Sequence, residues 1–196
     1  MSSHVLLNEI KYSSLKEGVI IEIGSARETN NEESSTFYFN QIAINNNTEF
    51  FSVDFSEKSW LMAKEIIHEN AILSDGKLFL QNFRNYTNKN ISVLYLDNFD
   101  VIYNEKHKIS LLNRVGNIYQ ENNENLNNQR AAEVHLEQLV TSMKFLNDDA
   151  IIIIDDTKFI ESNWWGKGAL VVPYLFNNNF KIIIEDEGGV MLKSSL

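Results

Sequence analysis

The chain has 196 residues, a formal net charge of −10 and a pI near 4.9. Hydrophobic residues make up 43% and charged residues 22%, a balance that is typical of globular proteins and argues against disorder. The acidic field repels phosphate backbones, and no basic patch stands out, so we expect a small-molecule partner and no nucleic acid. The absence of cysteine excludes disulfides, thiol nucleophiles and thiolate metal ligands.

The length predicts a single domain over residues 1–196, with residues 1–17 as an N-terminal helical extension. The N-terminus lacks the pattern of a signal peptide, and no apolar run approaches the roughly 20 residues that span a bilayer. We therefore expect a cytoplasmic protein with no membrane partner.

Five short runs are apolar throughout, as strands covered on both faces by helices are. These runs are residues 19–23, 50–53, 91–96, 150–154 and 180–184. Helical spacing separates them, most clearly in residues 56–70, which follow a serine cap, and in residues 128–146, which carry one apolar stripe. The alternation predicts an α/β fold of the Rossmann-like, doubly wound type, with a mostly parallel sheet and helices on both faces.

The end of the chain breaks this alternation. After the strand at residues 180–184 come a turn at Glu187, Gly188 and Gly189 and a further short strand, which predicts a C-terminal antiparallel hairpin in a seven-stranded sheet. The polar stretch 104–127 is interpreted as an insertion, which leaves a lid, a dimer contact and a disordered loop open. An oligomer is therefore possible.

Candidate binding residues lie where the first strand ends. In an open parallel sheet, ligands bind beyond the carboxyl ends of the strands, where the strand order reverses. Glu22, Gly24 and Ser25 lie at that edge, and glycine lets the backbone pass close to a ligand. The next helix is predicted to begin near Ser35 and Thr36, whose free N–H groups would face the same crevice.

The second and third strands are also followed by acids. Asp54 ends the second strand, where folds of this kind place a carboxylate for ribose hydroxyls. Ser74 and Asp75 follow a short third strand, and we expect Asp75 to meet an adenine amino group. One solvated carboxylate at a strand end is weak evidence, but three at successive strand ends favour a nucleoside site.

These motifs resemble those of class I S-adenosylmethionine-dependent methyltransferases over residues 19–193. "VIIEIGS" is similar to the first motif of the family, "FFSVD" to its ribose-binding acid, and the final hairpin to its reversed seventh strand. "VLYLDNFDVIY" and "IIIIDDT" resemble motifs of metal-dependent small-molecule O-methyltransferases of the catechol and antibiotic-sugar types. The departure is the first loop, where Gly24 stands alone and family members carry two or three glycines.

The resemblance implies an enzyme that transfers the methyl group of S-adenosylmethionine to a hydroxyl of a small molecule. It also implies a divalent cation held by Asp97, Asp155 and Asp156, with Asp97 as a catalytic residue. If these carboxylates converge, two of them ~4 Å apart repel by about 4 kcal/mol at a dielectric near 20, so a cation or a shared proton must relieve the repulsion. Oxygen ligands favour Mg²⁺ or Ca²⁺. The alternative is that Asp155 and Asp156 only end a strand and cap the next turn.

The segment after the acid pair supplies substrate candidates. Trp164 and Trp165 are adjacent, so in extended backbone they point to different sides, and one could line the substrate site. Lys167 is a catalytic candidate as a general base, on position alone. The four histidines lack ligand spacing and are interpreted as non-catalytic, although His107 could approach the site.

Two other classes stay open. A nicotinamide-dependent oxidoreductase uses the same strand-turn-helix units, but its pyrophosphate needs the glycines that are missing here. A binding or scaffold protein that kept the fold and lost catalysis would also show a reduced first loop.

Overall fold

The computed structural model describes residues 10, 15, 18–25, 34–121, 123–186 and 188–195. The predicted N-terminal helical extension therefore lies outside the described residues, apart from Ile10 and Leu15, which are buried. Glu187, in the predicted final turn, also lies outside them.

The described part of the chain forms nine strands and six α-helices. The strands are β1 (Gly18–Ile23), β2 (Glu49–Asp54), β3 (Ala71–Leu73), β4 (Asn90–Leu96), β5 (Leu146–Asp155), β6 (Thr157–Ile160), β7 (Asn163–Gly166), β8 (Phe180–Glu185) and β9 (Gly189–Ser194). The helices are α1 (Ser35–Asn46), α2 (Glu57–Ile67), α3 (Gly76–Gln81), α4 (Glu105–Glu121), α5 (Asn128–Ser142) and α6 (Gly168–Asn177).

Seven strands form one sheet in the order β3-β2-β1-β4-β5-β9-β8. Neighbours pair in parallel except β9, which runs antiparallel to both β5 and β8. The predicted fold class is confirmed, including the C-terminal antiparallel hairpin. The strand order reverses between β1 and β4, where Ile23 pairs with Leu96. In open parallel sheets, the carboxyl edge at such a reversal is where ligands bind.

Helices cover both faces of the sheet because the buried strands are apolar on both sides. On one face, Ile21 and Ile23 pack in a core with residues of α3, α5 and α6. On the other face, Ile20 packs with Phe39 of α1 and Ala63 of α2. Within the described residues, no helix combines the length and the apolar character needed to cross a bilayer.

The polar stretch 104–127 contains a helix rather than only a loop. Helix α4 buries Leu111, Val115 and Tyr119 in a small third core with Phe99 and Val134. The sequence does not predict this helix clearly, because apolar side chains also lie on its exposed face, including Ile109 at 61% exposure.

The structure also contains a hairpin that was not predicted. Strands β6 and β7 pair antiparallel outside the main sheet, and the turn between them places Glu161 and Ser162 at φ 49° and 67°. Two central residues with positive φ form the tight hairpin turns that usually contain Asn-Gly or Gly-Gly. Glu-Ser gives no such signal, so no local pattern predicts this hairpin.

Candidate functional site

Glu22 lies at the carboxyl end of β1 and is completely buried. Its carboxyl group accepts hydrogen bonds from the hydroxyls of Ser35 at 2.5 Å, Thr36 at 2.7 Å and Ser52 at 2.5 Å. Burial raises the pKa of Glu22 to about 7, although these three hydroxyls act in the opposite direction. Glu22 therefore ties the start of α1 to β1 and β2. Because its oxygens already accept hydrogen bonds from the protein, Glu22 can contribute to ligand binding only by positioning the surrounding residues.

Gly24 occupies the point where the strand order reverses. Its φ is +102°, and a Cβ there would lie 2.5 Å from the backbone of Asp97 and Asn98. A side chain is therefore excluded both by conformation and by contact. The single glycine of the first loop lets the ends of β1 and β4 meet.

Ser25 and Asp54 join the ends of β1 and β2. Asp54 accepts hydrogen bonds from the backbone N–H of Ser25 at 2.9 Å and of Ser56 at 2.7 Å, and the Ser25 hydroxyl lies 2.8 Å from that of Ser52. Asp54 is only 5% exposed. The predicted ribose acid thus stands at the expected edge, where it also organises the turn.

Ser74 and Asp75 follow β3 at the same edge. Asp75 is exposed and caps α3, since its carboxylate accepts a hydrogen bond from the N–H of Leu78 at 2.9 Å. The Ser74 hydroxyl donates to the carbonyl of Asp75 at 3.0 Å. A cap is the simple structural explanation of this acid, and it leaves a carboxylate at the rim of the crevice.

The three acids after β4 and β5 converge. One carboxylate oxygen each from Asp97, Asp155 and Asp156 lies within 4.8 Å of the others. The hydroxyl of the buried Tyr95 lies 3.3 Å from both Asp97 and Asp155. The sequence therefore predicts a cluster that the fold does assemble, which here is called the acid cluster (Asp97, Asp155 and Asp156).

Lys167 extends into the acid cluster from the start of α6. Its ammonium lies 2.5 Å from Oδ1 of Asp97, 3.0 Å from Oδ2 of Asp156 and 3.3 Å from the carbonyl oxygen of Asp97. The side chain is 2% exposed. Burial lowers the pKa of Lys167, but the charges of Asp97, Asp156 and Asp155 outweigh it and raise that pKa. Such an ammonium keeps its proton, which favours a fixed cation over the predicted general base.

The remaining charges of the acid cluster follow from this ammonium. Burial and the charge of Asp97 raise the pKa of Asp155 well above its usual range. Burial acts in the same direction on Asp156, but the Lys167 charge and the Tyr103 hydroxyl outweigh it and lower the pKa of Asp156. The ammonium of Lys167 thus relieves the repulsion among the carboxylates, and the raised pKa of Asp155 acts in the same direction by favouring its neutral form.

The predicted Mg²⁺ or Ca²⁺ does not fit this arrangement. The oxygen set alone suits either ion, yet the ammonium of Lys167 already lies at 2.5 to 3.0 Å from two of the three carboxylates. A dication held by the same oxygens would lie beside a buried positive charge. At ~4 Å and a dielectric near 20, that repulsion is on the order of 8 kcal/mol.

Two aromatic side chains, Tyr103 and Trp165, lie next to the acid cluster and are called the aromatic pair. The centroids of their rings are 5.3 Å apart, and the Tyr103 hydroxyl donates a hydrogen bond to Asp156. Trp164 turns to the other side of β7, where it contacts Phe159 and Phe176. The two tryptophans do point apart, and Trp165 is the one beside the acid cluster. Tyr103 was missed because it follows β4 in irregular backbone, without a pattern of its own.

A group of buried polar atoms lies on α5 and just after β4. Among the described residues, Oδ1 of Asn98, Nε2 of His135 and both amide atoms of Gln138 are buried without a hydrogen-bond partner. Burial and the charge of Lys167 lower the pKa of His135 to about 3, so its imidazole is neutral. The sequence predicts no catalytic role for His135, and a histidine and a glutamine on one helix face form no motif.

A cavity of about 520 Å³ lies away from these residues, between the ends of α1 and α2 and the start of β2. It is lined by side chains such as Ile44, Phe50 and His68 and contains none of the predicted site residues. Since parallel strands place ligand sites at their carboxyl ends, this cavity belongs to the opposite edge of the sheet.

No protein-family model and no curated protein matches this chain. Among solved structures, a candidate rRNA methylase from Clostridium thermocellum superposes with a TM-score of 0.54 over 100% of this chain and 97% of its own, at 13% identity. A candidate methyltransferase from Streptococcus mutans, solved in complex with SAH (S-adenosylhomocysteine), gives a TM-score of 0.51 over 98% and 97%, at 10% identity.

These structures contradict the expectation of a small-molecule acceptor and no nucleic acid, because the first is named for action on rRNA. The expectation was based on the net charge, which is a sum over the whole chain and does not show local groups of positive charge. Locally, Lys106, His107 and Lys108 follow Tyr103 at the start of α4, and the ammonium of Lys158 lies 5.9 Å from the Tyr103 ring. At these low identities the likeness establishes the architecture: the chain has the fold of S-adenosylmethionine-dependent methyltransferases.

Proposed function

We propose that this protein binds S-adenosylmethionine at the carboxyl edge of β1 and β2 and transfers its methyl group to RNA. The observation that carries the proposal is the turn formed by Glu22, Gly24, Ser25 and Asp54 at the strand reversal of a sheet with the methyltransferase order. The SAH bound to the Streptococcus mutans structure supports the choice of cofactor.

The cofactor is held in this proposal by the ends of three strands. The Gly24 turn holds the ends of β1 and β4 together beside the proposed position of the methionyl part, and the N-terminus of α1, with Ser35 and Thr36, follows at the same edge. Asp54 accepts the ribose hydroxyls, and Asp75 and Ser74 meet the adenine at the rim. The sulfonium is a cation, so an edge rich in carboxylates favours it.

The acceptor is a base or ribose group of RNA placed against the aromatic pair. Bases of single-stranded RNA stack on aromatic side chains, and Tyr103 is 47% exposed beside Trp165. The side chains of Lys106, Lys108 and Lys158 would bind the backbone phosphates. This arrangement gives an acidic protein one cationic approach to its catalytic edge.

The transfer forms a bond from the acceptor nitrogen or oxygen to the methyl carbon and breaks the carbon–sulfur bond, which leaves a neutral thioether. The acceptor releases its proton. Asp97 is the proposed proton acceptor, and Lys167 holds the Asp97 carboxylate in place through the 2.5 Å ion pair. Alignment of the acceptor with the methyl group supplies the main acceleration.

Calorimetry with S-adenosylhomocysteine tests the cofactor part. We expect binding by the wild-type protein and at least tenfold weaker binding by Asp54→Asn, since a neutral amide accepts hydroxyl protons less well than a carboxylate. Asp149→Asn is the matched control, because Asp149 is exposed near the start of β5, away from the crevice. Absence of binding at millimolar ligand by folded wild-type protein would overturn the proposal.

Transfer of tritiated methyl groups from S-adenosylmethionine to rRNA transcribed in vitro tests the acceptor. We expect label in the RNA and about tenfold weaker RNA binding by Tyr103→Ala, because stacking is worth roughly 1–3 kcal/mol per base. Tyr86→Ala is the control, since Tyr86 has a similar exposure of 42% but contacts Phe51 and Phe79 instead. Equal RNA affinity of the two variants would contradict the role of the aromatic pair.

A further inference from the structure

The acid cluster holds its own cation. Three carboxylates from the ends of β4 and β5 gather within 4.8 Å, which is a geometry that metal-binding proteins use for divalent ions. Here the Nζ of Lys167 has three oxygen neighbours within 3.3 Å, two on Asp97 and one on Asp156. An ammonium has three N–H donors, so the number of oxygen neighbours matches the number of donors.

The backbone fixes Lys167 in this position. Gly166 has φ +81°, and a Cβ there would lie 1.9 Å from the carbonyl oxygen of Asp156. The same carbonyl accepts a hydrogen bond from the N–H of Lys167 at 3.2 Å, and the N–H of Gly168 donates to the Thr157 hydroxyl at 2.9 Å. Lys167 is therefore bound through its main chain to the residue that its side chain neutralises.

We propose that the ammonium of Lys167 takes the place of a divalent metal in this protein, so that the acid cluster works without one. A mobile, exposed lysine side chain could move away and leave space for an ion. The Lys167 side chain is only 2% exposed, and hydrogen bonds hold the backbone at Lys167 and at Gly168. The inference rests on the proposed function, because it takes the acid cluster to be part of the methyl-transfer site. It adds that the cation at this site is the ammonium of Lys167.

Binding of Mn²⁺, followed by electron paramagnetic resonance on protein without cofactor, tests this proposal. We expect no binding by the wild-type protein at millimolar Mn²⁺. Lys167→Ala removes the ammonium and opens the space, so we expect it to gain a site at least tenfold tighter than any in the wild type. Lys167→Ala with Asp155→Asn should lose that site, and Lys167→Arg should not gain it, because a cation remains.

Two results would overturn the proposal: Mn²⁺ binding by wild-type protein that Asp155→Asn abolishes, or a folded Lys167→Ala variant that gains no site. If Lys167→Ala does not fold, thermal melting of the wild type and Asp155→Asn with and without Mn²⁺ decides, since a ligand of the native state raises the melting temperature. A rise in the wild type alone would refute the proposal, and no rise in either would support it. Mn²⁺ binding is measured without S-adenosylmethionine, so its outcome is separate from the failure of the proposed function.

Discussion

Two neighbouring regions of the same sheet edge bury carboxylates in opposite ways. At β1 and β2, Glu22 is surrounded by three hydroxyls and has a pKa of about 7, so it is largely neutral below that pH. At β4 and β5, the charges of Asp97 and Asp156 are balanced by the buried ammonium of Lys167. Hydrogen bonds to a protonated carboxyl group stabilise the first region, and an ion pair stabilises the second.

The difference reflects what each region can do. A neutral carboxyl group whose oxygens are hydrogen-bonded connects β1, β2 and α1 without the free-energy cost of a buried charge. An ion pair fixed at 2.5 Å keeps a charge in place at the end of β4. We therefore expect the Glu22 region to respond mainly to pH and the acid cluster mainly to loss of its cation.

The largest effect is expected from Lys167→Met. Removing the buried ammonium leaves uncompensated charge on Asp97 and Asp156, which are 28% and 30% exposed, so we expect a loss in the lower part of the roughly 3–5 kcal/mol range of buried pairs. Denaturant unfolding at pH 7 measures this loss. Lys158→Met is the control from the neighbouring hairpin, because Lys158 makes no ion pair among the described residues and should change stability by less than about 0.5 kcal/mol. Equal losses in both variants would refute the ion-pair argument.

The next effect is a dependence of stability on pH at Glu22. The folded protein keeps the Glu22 proton up to a pKa of about 7, whereas the unfolded chain releases it near 4.5. The native state binds more protons in this window, so the contribution is complete below pH 4.5 and is lost as pH rises to 7. The loss amounts to about 3 kcal/mol.

Denaturant unfolding of the wild type and Glu22→Gln across this pH range measures the difference. The amide cannot titrate, so the variant should show a shallower downward slope in the free energy of unfolding, and the difference between the two profiles measures the Glu22 contribution. Parallel pH profiles for the two proteins would show that Glu22 is not the neutral group described here.

Gly24→Ala should cost about 2 kcal/mol in the free energy of unfolding, because a Cβ cannot be accommodated at φ +102° against the backbone of β4. It should also weaken binding of S-adenosylhomocysteine. Gly116→Ala is the contrasting variant, since a Cβ there meets Leu112 at 3.9 Å, and in a helix it should stabilise by roughly 0.5–1 kcal/mol. Thermal unfolding compares the two, and a loss at Gly116 as large as at Gly24 would contradict this interpretation.

The smallest effect concerns Ser52, which donates to Glu22. Ser52→Ala removes one hydrogen bond that lowers the Glu22 pKa, so that pKa should rise further while stability falls by about 1 kcal/mol. Carbon NMR of the labelled Glu22 carboxyl group measures the pKa directly. Ser195→Ala, at an exposed position, should leave it unchanged. A lowered pKa in Ser52→Ala would reverse the assigned direction.

Much of this fold could be predicted because apolar runs and caps are local signals. The strand of residues 91–96 and the helix that follows Ser56 fall close to their predicted bounds. The convergence of the acid cluster could be predicted too, since ends of parallel strands share one edge. The approach of Lys167 to Asp97 spans 70 residues and depends on an unrecognised hairpin, so no local pattern carries it. Burial of Glu22 and its raised pKa likewise depend on hydroxyls from other elements.

The short hairpin of β6 and β7 sets the spacing between the acid cluster and the aromatic pair. Side chains alternate along a strand, so Trp165 and Trp164 face opposite ways, and Lys167 follows Trp165 after the single residue Gly166. Deleting one residue from β7 would exchange the two tryptophans and withdraw the lysine in the same step. Natural relatives of this chain should therefore tolerate changes of residue type in the hairpin far better than changes in its length.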